Sequence, residues 1–213
     1  MNKYPSSLED LIESFCLLPG VGRKSAERFA MYMLFQVPEE KIIDFSNSLL
    51  SIKKDIHICP LCGNITEKDI CDICNDKDRN HKMVLVVENV RDLLVIENTH
   101  SYHGIYHVLN GAISFSKGVT IDDLNINSLI EKVKNNELDE IILATSTTLE
   151  GETTSRYLKE LLSPYNVNIT RIAQGLSIGS DLAYQDEMTL IKAFEGRGKY
   201  WYANLKALLI TSL

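Results

Sequence analysis

Apolar residues in the first quarter of the chain recur at helical spacing. Leu8, Leu11, Ile12 and Phe15 form one stripe, with Ser7 placed to cap its start. The run Leu18-Pro19-Gly20-Val21-Gly22 interrupts it, and Ala26, Phe29, Ala30 and Met33 begin a second stripe. Val37 and Pro38 break that one, and Ile42, Phe45, Leu49 and Ile52 mark a third helix. From Met83 the pattern changes. Met83 to Val87 is an unbroken apolar run, mostly β-branched, which suits a strand covered on both faces. Strand-like runs follow at Ile105 to Val108, Glu140 to Ala144 and Val167 to Ile172. Helical stretches near Asp92 to Glu97, Ser128 to Asn135 and Thr153 to Leu162 separate them. Strands alternating with helices predict a parallel α/β sheet. No internal repeat and no low-complexity tract interrupts this order.

Between the two patterns lies the motif C-x2-C-x8-C-x2-C, formed by Cys59, Cys62, Cys71 and Cys74. Each pair of cysteines sits in a tight turn that aims two thiolates at one point. Two such turns supply the four soft ligands of a tetrahedral structural Zn2+, at about 2.3 Å per sulfur. Gly63 relaxes the backbone directly after the second ligand. A full set of protein ligands leaves no position for a reacting water, so the site holds structure. Two disulfides or an iron–sulfur cluster are the other uses of four cysteines; nothing places the chain in an oxidising compartment, and closely paired knuckles favour zinc. A polar joint, Asn75 to Asn80, follows the last ligand.

The resulting expectation is an α+β multidomain chain. A helix-hairpin-helix region spans 1–56, a zinc finger 57–76, an α/β domain 82–177, and a C-terminal segment 178–213.

Composition constrains partners more than fold. With 45% hydrophobic and 24% charged residues, 213 residues can bury ordinary cores. The start, MNKYPSSLEDLIESF, has neither a secretory nor a transit pattern, and no stretch reaches a membrane-spanning length. A cytoplasmic protein is expected. Cys16, outside the four-cysteine set, falls among apolar neighbours and is expected in a core. The net charge of -7 excludes a wholesale basic footprint for nucleic acid. Phosphate contact is then confined to a few placed groups.

The hairpin LPGVG supplies such groups. Gly20 and Gly22 remove side chains where backbone amides approach a phosphate, and the following helix presents its free N–H groups and dipole to the same spot. Arg23, Lys24 and Arg28 add charge there, and Leu18 and Val21 are expected to anchor the turn. This is the pattern of a helix-hairpin-helix, which binds nucleic-acid backbone without reading sequence.

A second constellation is acidic. Glu88 ends the first strand of the α/β region, and Glu150 and Glu152 are expected in the loop after the Glu140 to Ala144 strand. Ligand sites of open α/β sheets collect beyond the carboxyl ends of the strands. Three carboxylates there either hold Mg2+ for phosphoryl chemistry or serve as solvated, helix-starting or protein-docking acids. His100, His103 and His107 read as core or surface histidines among Tyr102 and Tyr106. Gly175, Ser177 and Gly179 suggest a flexible loop.

Taken in order, these elements resemble the RecR family of bacterial recombination mediators. The resemblance rests on LPGVGRKSAERFA (18–30), CPLCGNIT (59–66), YHGIYHVLNGAIS (102–114), LEGETTSRYL (149–158) and RIAQGLSIGSDLAYQDEMTL (171–190). It implies a Toprim fold near 82–177, with Glu88 at the Toprim glutamate and Glu150 and Glu152 where catalytic relatives carry a D-x-D pair. It implies a non-enzymatic protein, a homotetramer or homodimer, that binds double-stranded and gapped DNA or single/double-strand junctions. It further implies action with RecO, and in some settings RecF, to load RecA onto strands coated by single-strand-binding protein, at the bacterial nucleoid. The acidic cluster is then a docking face; the alternative is a Toprim-type Mg2+-dependent nuclease or phosphotransferase. Members of the family usually stop soon after a segment like FEGRGKY (194–200), whereas Trp201, Leu205, Leu208 and Leu209 continue here at helical spacing. The role of Lys199 to Leu213 is left open by the resemblance.

Overall fold

A computed structural model describes residues 4–135 and 137–198, and the expected terminal helix lies outside them. The chain packs as two compact units, one running to Cys59 and including Ile65–Cys71, the other formed by Pro60–Asn64 and the chain from Asp72 on.

The first unit is helical. Helices α1 (Ser6–Cys16) and α2 (Arg23–Gln36) pack around Ile12, Ala26 and Ala30, all fully buried. Alanines four apart on α2 let the helix axes approach closely, and Leu8, Leu11, Phe15 and Val21 close the cluster. Pro5 occupies the cap position, so Ser7 lies inside the first turn rather than before it. Cys16 is exposed, not in a core, because it ends α1 beyond the stretch facing Ala26 and Ala30. Helix α3 (Glu39–Asp55) follows Pro38 as expected, yet it buries no residue. Its apolar stripe is open to solvent, with Phe45 46% and Leu49 55% exposed. A two-strand hairpin, β1 (His57–Ile58) and β2 (Ile65–Thr66), completes the knuckle region.

Beyond the Pro60–Asn64 turn, the second unit continues with the short helix α4 (Asp72–Asn75) and is built on a four-stranded parallel sheet. Its strands are β3 (Asn80–Val87), β4 (Gly104–Val108), β5 (Glu140–Leu143) and β6 (Asn168–Arg171), in the order β4-β3-β5-β6. Helices α5 (Val90–Glu97), α6 (Asn127–Lys134) and α7 (Leu149–Leu162) lie between strands, and α8 (Glu187–Glu195) follows β6. The unbroken run in β3 is explained by burial on both faces. Val84 and Val86 join Ile105, Ile141 and Leu143 in one core with Leu129, Val133 and Leu158. Leu85 and Val87 join Tyr106, Val108 and Leu93 on the other face. Each fully buried aliphatic side chain contributes roughly 1.5 to 3 kcal/mol relative to exposure.

The order of crossovers places a crevice. From β3 the chain moves to β4 on one side, and from β5 to β6 on the other. The connections diverge between β3 and β5, and ligand sites in open α/β sheets lie at that divergence, beyond the strands' carboxyl ends. Glu88 stands there.

Candidate nucleic-acid interface and metal centre

The hairpin between α1 and α2 is built by a reversal at Gly20, whose φ of +78° suits glycine. Val21 N donates to Leu18 O at 3.1 Å and closes the turn. Val21 packs into the helical cluster as expected, but Leu18 is 51% exposed and anchors little. Gly22 caps α2 with no side-chain partner for the first amides of the helix. A side chain at Gly22 would meet nothing within 4 Å, and its φ of -83° is open to any residue. Neither packing nor conformation therefore demands glycine at this position.

Around this helix start stand Arg23, Lys24 and Arg28, all exposed. Arg23 is already paired: its Nη2 meets Glu9, and its Nε lies 3.5 Å from Glu27 Oε1. The Arg28 guanidinium lies 5.5 Å from the Phe29 ring centre.

The four cysteines converge. Their sulfurs all lie within 4.8 Å of one another and all four residues are buried, with no disulfide among them. Sulfurs at about 2.3 Å on a tetrahedron are about 3.8 Å apart, so this spread fits a single zinc ion. Backbone amides turn toward the sulfurs, Asn64 N to Cys62 Sγ at 3.4 Å and Cys71 N to Cys59 Sγ at 3.5 Å. N–H groups aimed at the sulfurs complement the negative charge of metal-bound thiolates. Cys59, Cys62, Cys71 and Cys74 form a four-cysteine zinc-finger site.

The three acids part company. Glu88 is buried just beyond β3, and its carboxylate accepts from Ser146 N at 2.8 Å and Ser146 Oγ at 3.1 Å. Glu150 and Glu152 lie in the first turn of α7, not in a loop, because Thr148 caps the helix and starts it well ahead of Thr153. The Thr148 hydroxyl accepts from Gly151 N at 3.2 Å, and acids in a first turn face the positive end of the helix dipole. Glu88 and Glu150 both line a crevice of about 410 Å³, together with Asn110, Ser114, Lys117 and Ser146. Glu152 turns away to line a separate cavity of about 590 Å³. There its carboxylate accepts from Arg171 Nη1 at 2.7 Å and Gln174 Nε2 at 3.1 Å. The Arg171 guanidinium holds the Glu152 carboxyl below the usual carboxylate range.

Of the histidines, His107 is fully buried. Its Nε2–H donates to Asn125 O at 2.5 Å, which fixes the tautomer, and burial pushes its pKa down to about 4. Arg171 and Gln174 escaped the sequence reading, since only the β5–β6 register brings Arg171 to α7. Helix α8 escaped it too, although Asp186 three residues before Thr189 is a capping signal, its Oδ1 accepting from Thr189 N at 3.0 Å. No helix among the described residues is long and apolar enough to cross a membrane.

Four known families match in the same order as these parts. Residues 8–52 match the RecR helix-hairpin-helix, 56–76 the four-cysteine zinc finger domain of RecR, 82–173 the Toprim domain and 175–197 the RecR C-terminal segment. The recombination protein RecR of Limosilactobacillus reuteri (strain DSM 20016) is 49% identical over 198 residues, covering 92% of this chain and 98% of that one. That of Enterococcus faecalis is 47% identical over 194 residues, 91% of this chain and 98% of its own. That of Leuconostoc citreum is 49% identical over 197 residues, with coverage of 91% and 98%. With hairpin, zinc finger and parallel Toprim sheet in this order, and close to half of its residues shared over nearly its whole described length, the chain belongs to the RecR family.

Proposed function

We propose that this chain is a recombination mediator of DNA repair that binds DNA backbone without catalytic turnover. The observation that carries the reading is the start of α2: uncapped amides, a glycine at position 22 with no internal need for it, and Lys24 and Arg28 at the surface beside it. Such an end binds phosphate and ignores base identity. Double-stranded and gapped DNA, or single/double-strand junctions, are its substrates. RecO, and in some settings RecF, are its partners in loading RecA, with the crevice acids Glu88 and Glu150 as part of the docking face.

One hairpin on a chain of net charge -7 binds weakly. Several hairpins in one homotetramer or homodimer bind the same DNA together, each raising the effective concentration of the next. The uncovered apolar stripe of α3 supports assembly, since contiguous exposed apolar surface marks protein contacts. The rival reading, a Mg2+-dependent Toprim nuclease on Glu88, Glu150 and Glu152, asks three carboxylates to meet on one ion. Glu152 is instead held by Arg171 and Gln174 and lines a different cavity from Glu88 and Glu150.

End-labelled gapped duplex, incubated with zinc-loaded protein over a salt series with and without Mg2+, separates the two. Salt-sensitive retardation of intact strands is the expected result. Mg2+-dependent shortening of the strands that vanishes in Glu152→Gln would overturn it.

A further inference from the structure

The turn Pro60–Asn64, which carries the ligand Cys62, is seated on the α/β sheet by identifiable groups. Val108 N, at the end of β4, donates to Cys62 O at 2.7 Å. Gly63, with φ +78°, passes so close that a Cβ there would stand 2.9 Å from Val108 O. The same carbonyl accepts from Asn125 Nδ2 at 3.1 Å, and Asn125 O in turn accepts from buried His107. From α6, Lys132 Nζ reaches across and donates to Leu61 O at 2.5 Å. Leu61 is the residue immediately before Cys62.

Lys132 is half-buried, and nothing in the packing of α6 requires a lysine at this point. The neighbours Leu129 and Val133 turn into the core and would hold the helix with any aliphatic stem beside them. What the ammonium adds is a charged donor on the metal-bearing turn. Held on the residue next to Cys62, it fixes the backbone that carries that ligand. Partners just outside the ligands orient them and tune the metal in other zinc sites by the same physics.

We propose that Lys132 is a positioning residue for the zinc centre: it fixes the Leu61 carbonyl and sets the Cys62 turn on the sheet. The α/β domain thereby contributes to zinc retention from outside the ligand set. The inference rests on the cysteines holding zinc and is independent of the DNA reading.

The test compares the full chain with Lys132→Met, which keeps the stem, and Lys132→Arg, which keeps charge and donor. Zinc content is measured first, then the rate of zinc release into an excess of chromogenic chelator. Lys132→Met is expected to release zinc about fivefold faster, the effect of losing one hydrogen bond from a charged donor at a half-buried site, and Lys132→Arg to stay near the parent rate. In Co2+-substituted protein, the thiolate-to-metal absorption of Lys132→Met is expected to shift while that of Lys132→Arg does not; a helix merely weakened by substitution would not move this band. Equal release rates and equal spectra in all three proteins would overturn the proposal. Purified parent protein without zinc would instead overturn the four-cysteine metal assignment beneath it.

Discussion

Arg171 on β6 grips Glu152 on α7, with Nη1 2.7 Å from Oε2 and Nη2 2.7 Å from Oε1. The first contact is a charge-assisted hydrogen bond and the second a close ion pair without hydrogen-bond geometry. One bond and the charge attraction together hold the guanidinium on the carboxylate. The pair ties the start of α7 to the sheet's edge strand, and Gln174 extends the tie to the segment after β6. Glu152 thus has a structural task that its place in the E-G-E triplet does not suggest.

Removing either partner leaves the other without its counter-charge. Glu152→Ala and Arg171→Ala are each expected to lower stability by about 1 kcal/mol, after allowance for partial exposure, and the double mutant by less than the sum. Urea unfolding of the four proteins at pH 7 measures the coupling. The Glu152 carboxyl is held low by the Arg171 guanidinium, so its contribution is present above the ordinary carboxylate pKa of about 4 and disappears as pH falls through its lower folded value. The coupling should vanish in acid. A coupling that is zero at pH 7 would refute the clamp.

Gly151, between the two acids, is a tighter constraint. A Cβ on it would stand 2.2 Å from Ser146 O and 2.6 Å from Glu88 Oε1. One contact is with backbone, which moves little, and the other with a carboxylate already fixed by Ser146. Gly151→Ala is expected to cost about 2 to 3 kcal/mol and to displace Glu88 from the crevice, despite alanine's better helix propensity. A neutral or stabilising effect in thermal unfolding would show that the crevice opens easily, contrary to this packing.

These two residues mark how far the sequence could be read. The zinc site was legible because four cysteines at fixed spacing carry their own geometry, and the two-faced burial of β3 because Met83 to Val87 admits no polar position. The hairpin was legible because Gly20 and Gly22 punctuate two helical stripes. The Glu152–Arg171 clamp was not, since it joins residues 19 apart through a strand register that no local pattern encodes. Nor could periodicity say that the stripe on α3 faces solvent: an amphipathic helix advertises a partner without naming it. Cys16 shows the same limit at a helix end, where apolar neighbours in sequence are not neighbours in space.

His107 predicts a pH response of the α/β domain. Its ring is buried neutral, with a folded pKa near 4 against about 6.5 when exposed. Between those values the unfolded chain binds a proton that the folded chain does not. Stability therefore rises with pH across this window, and acidification from 6.5 toward 4 is expected to remove up to about 3 kcal/mol. In His107→Gln, which keeps a donor toward Asn125 O and cannot titrate, that part of the pH dependence should flatten. A parent and variant with parallel stability curves between pH 4 and 6.5 would rule out a buried neutral ring.

The last prediction concerns the proposed DNA contact and uses the competition at Arg23. Its guanidinium is engaged by Glu9 across the hairpin and by Glu27 one turn along α2, so any phosphate must draw it away from both carboxylates. Glu9 is nearly covered, at 17% side-chain exposure, and one of its oxygens is buried without a hydrogen bond. Glu9→Gln removes that competitor while keeping size and hydrogen-bonding atoms. If the hairpin binds DNA backbone, Glu9→Gln should bind duplex severalfold tighter at every sequence tested, with a salt slope steeper by up to about 0.9 for each additional phosphate engaged. Lys24→Ala should act oppositely, weakening binding uniformly and making the slope shallower by a similar amount. Because Lys24 is exposed, its loss should leave thermal stability within about 0.5 kcal/mol of the parent, which separates a lost contact from a damaged fold. Filter binding from low to moderate salt measures affinity and slope together. Unchanged slopes in both variants would remove the start of α2 from the DNA interface, and with it the observation on which the mediator reading stands.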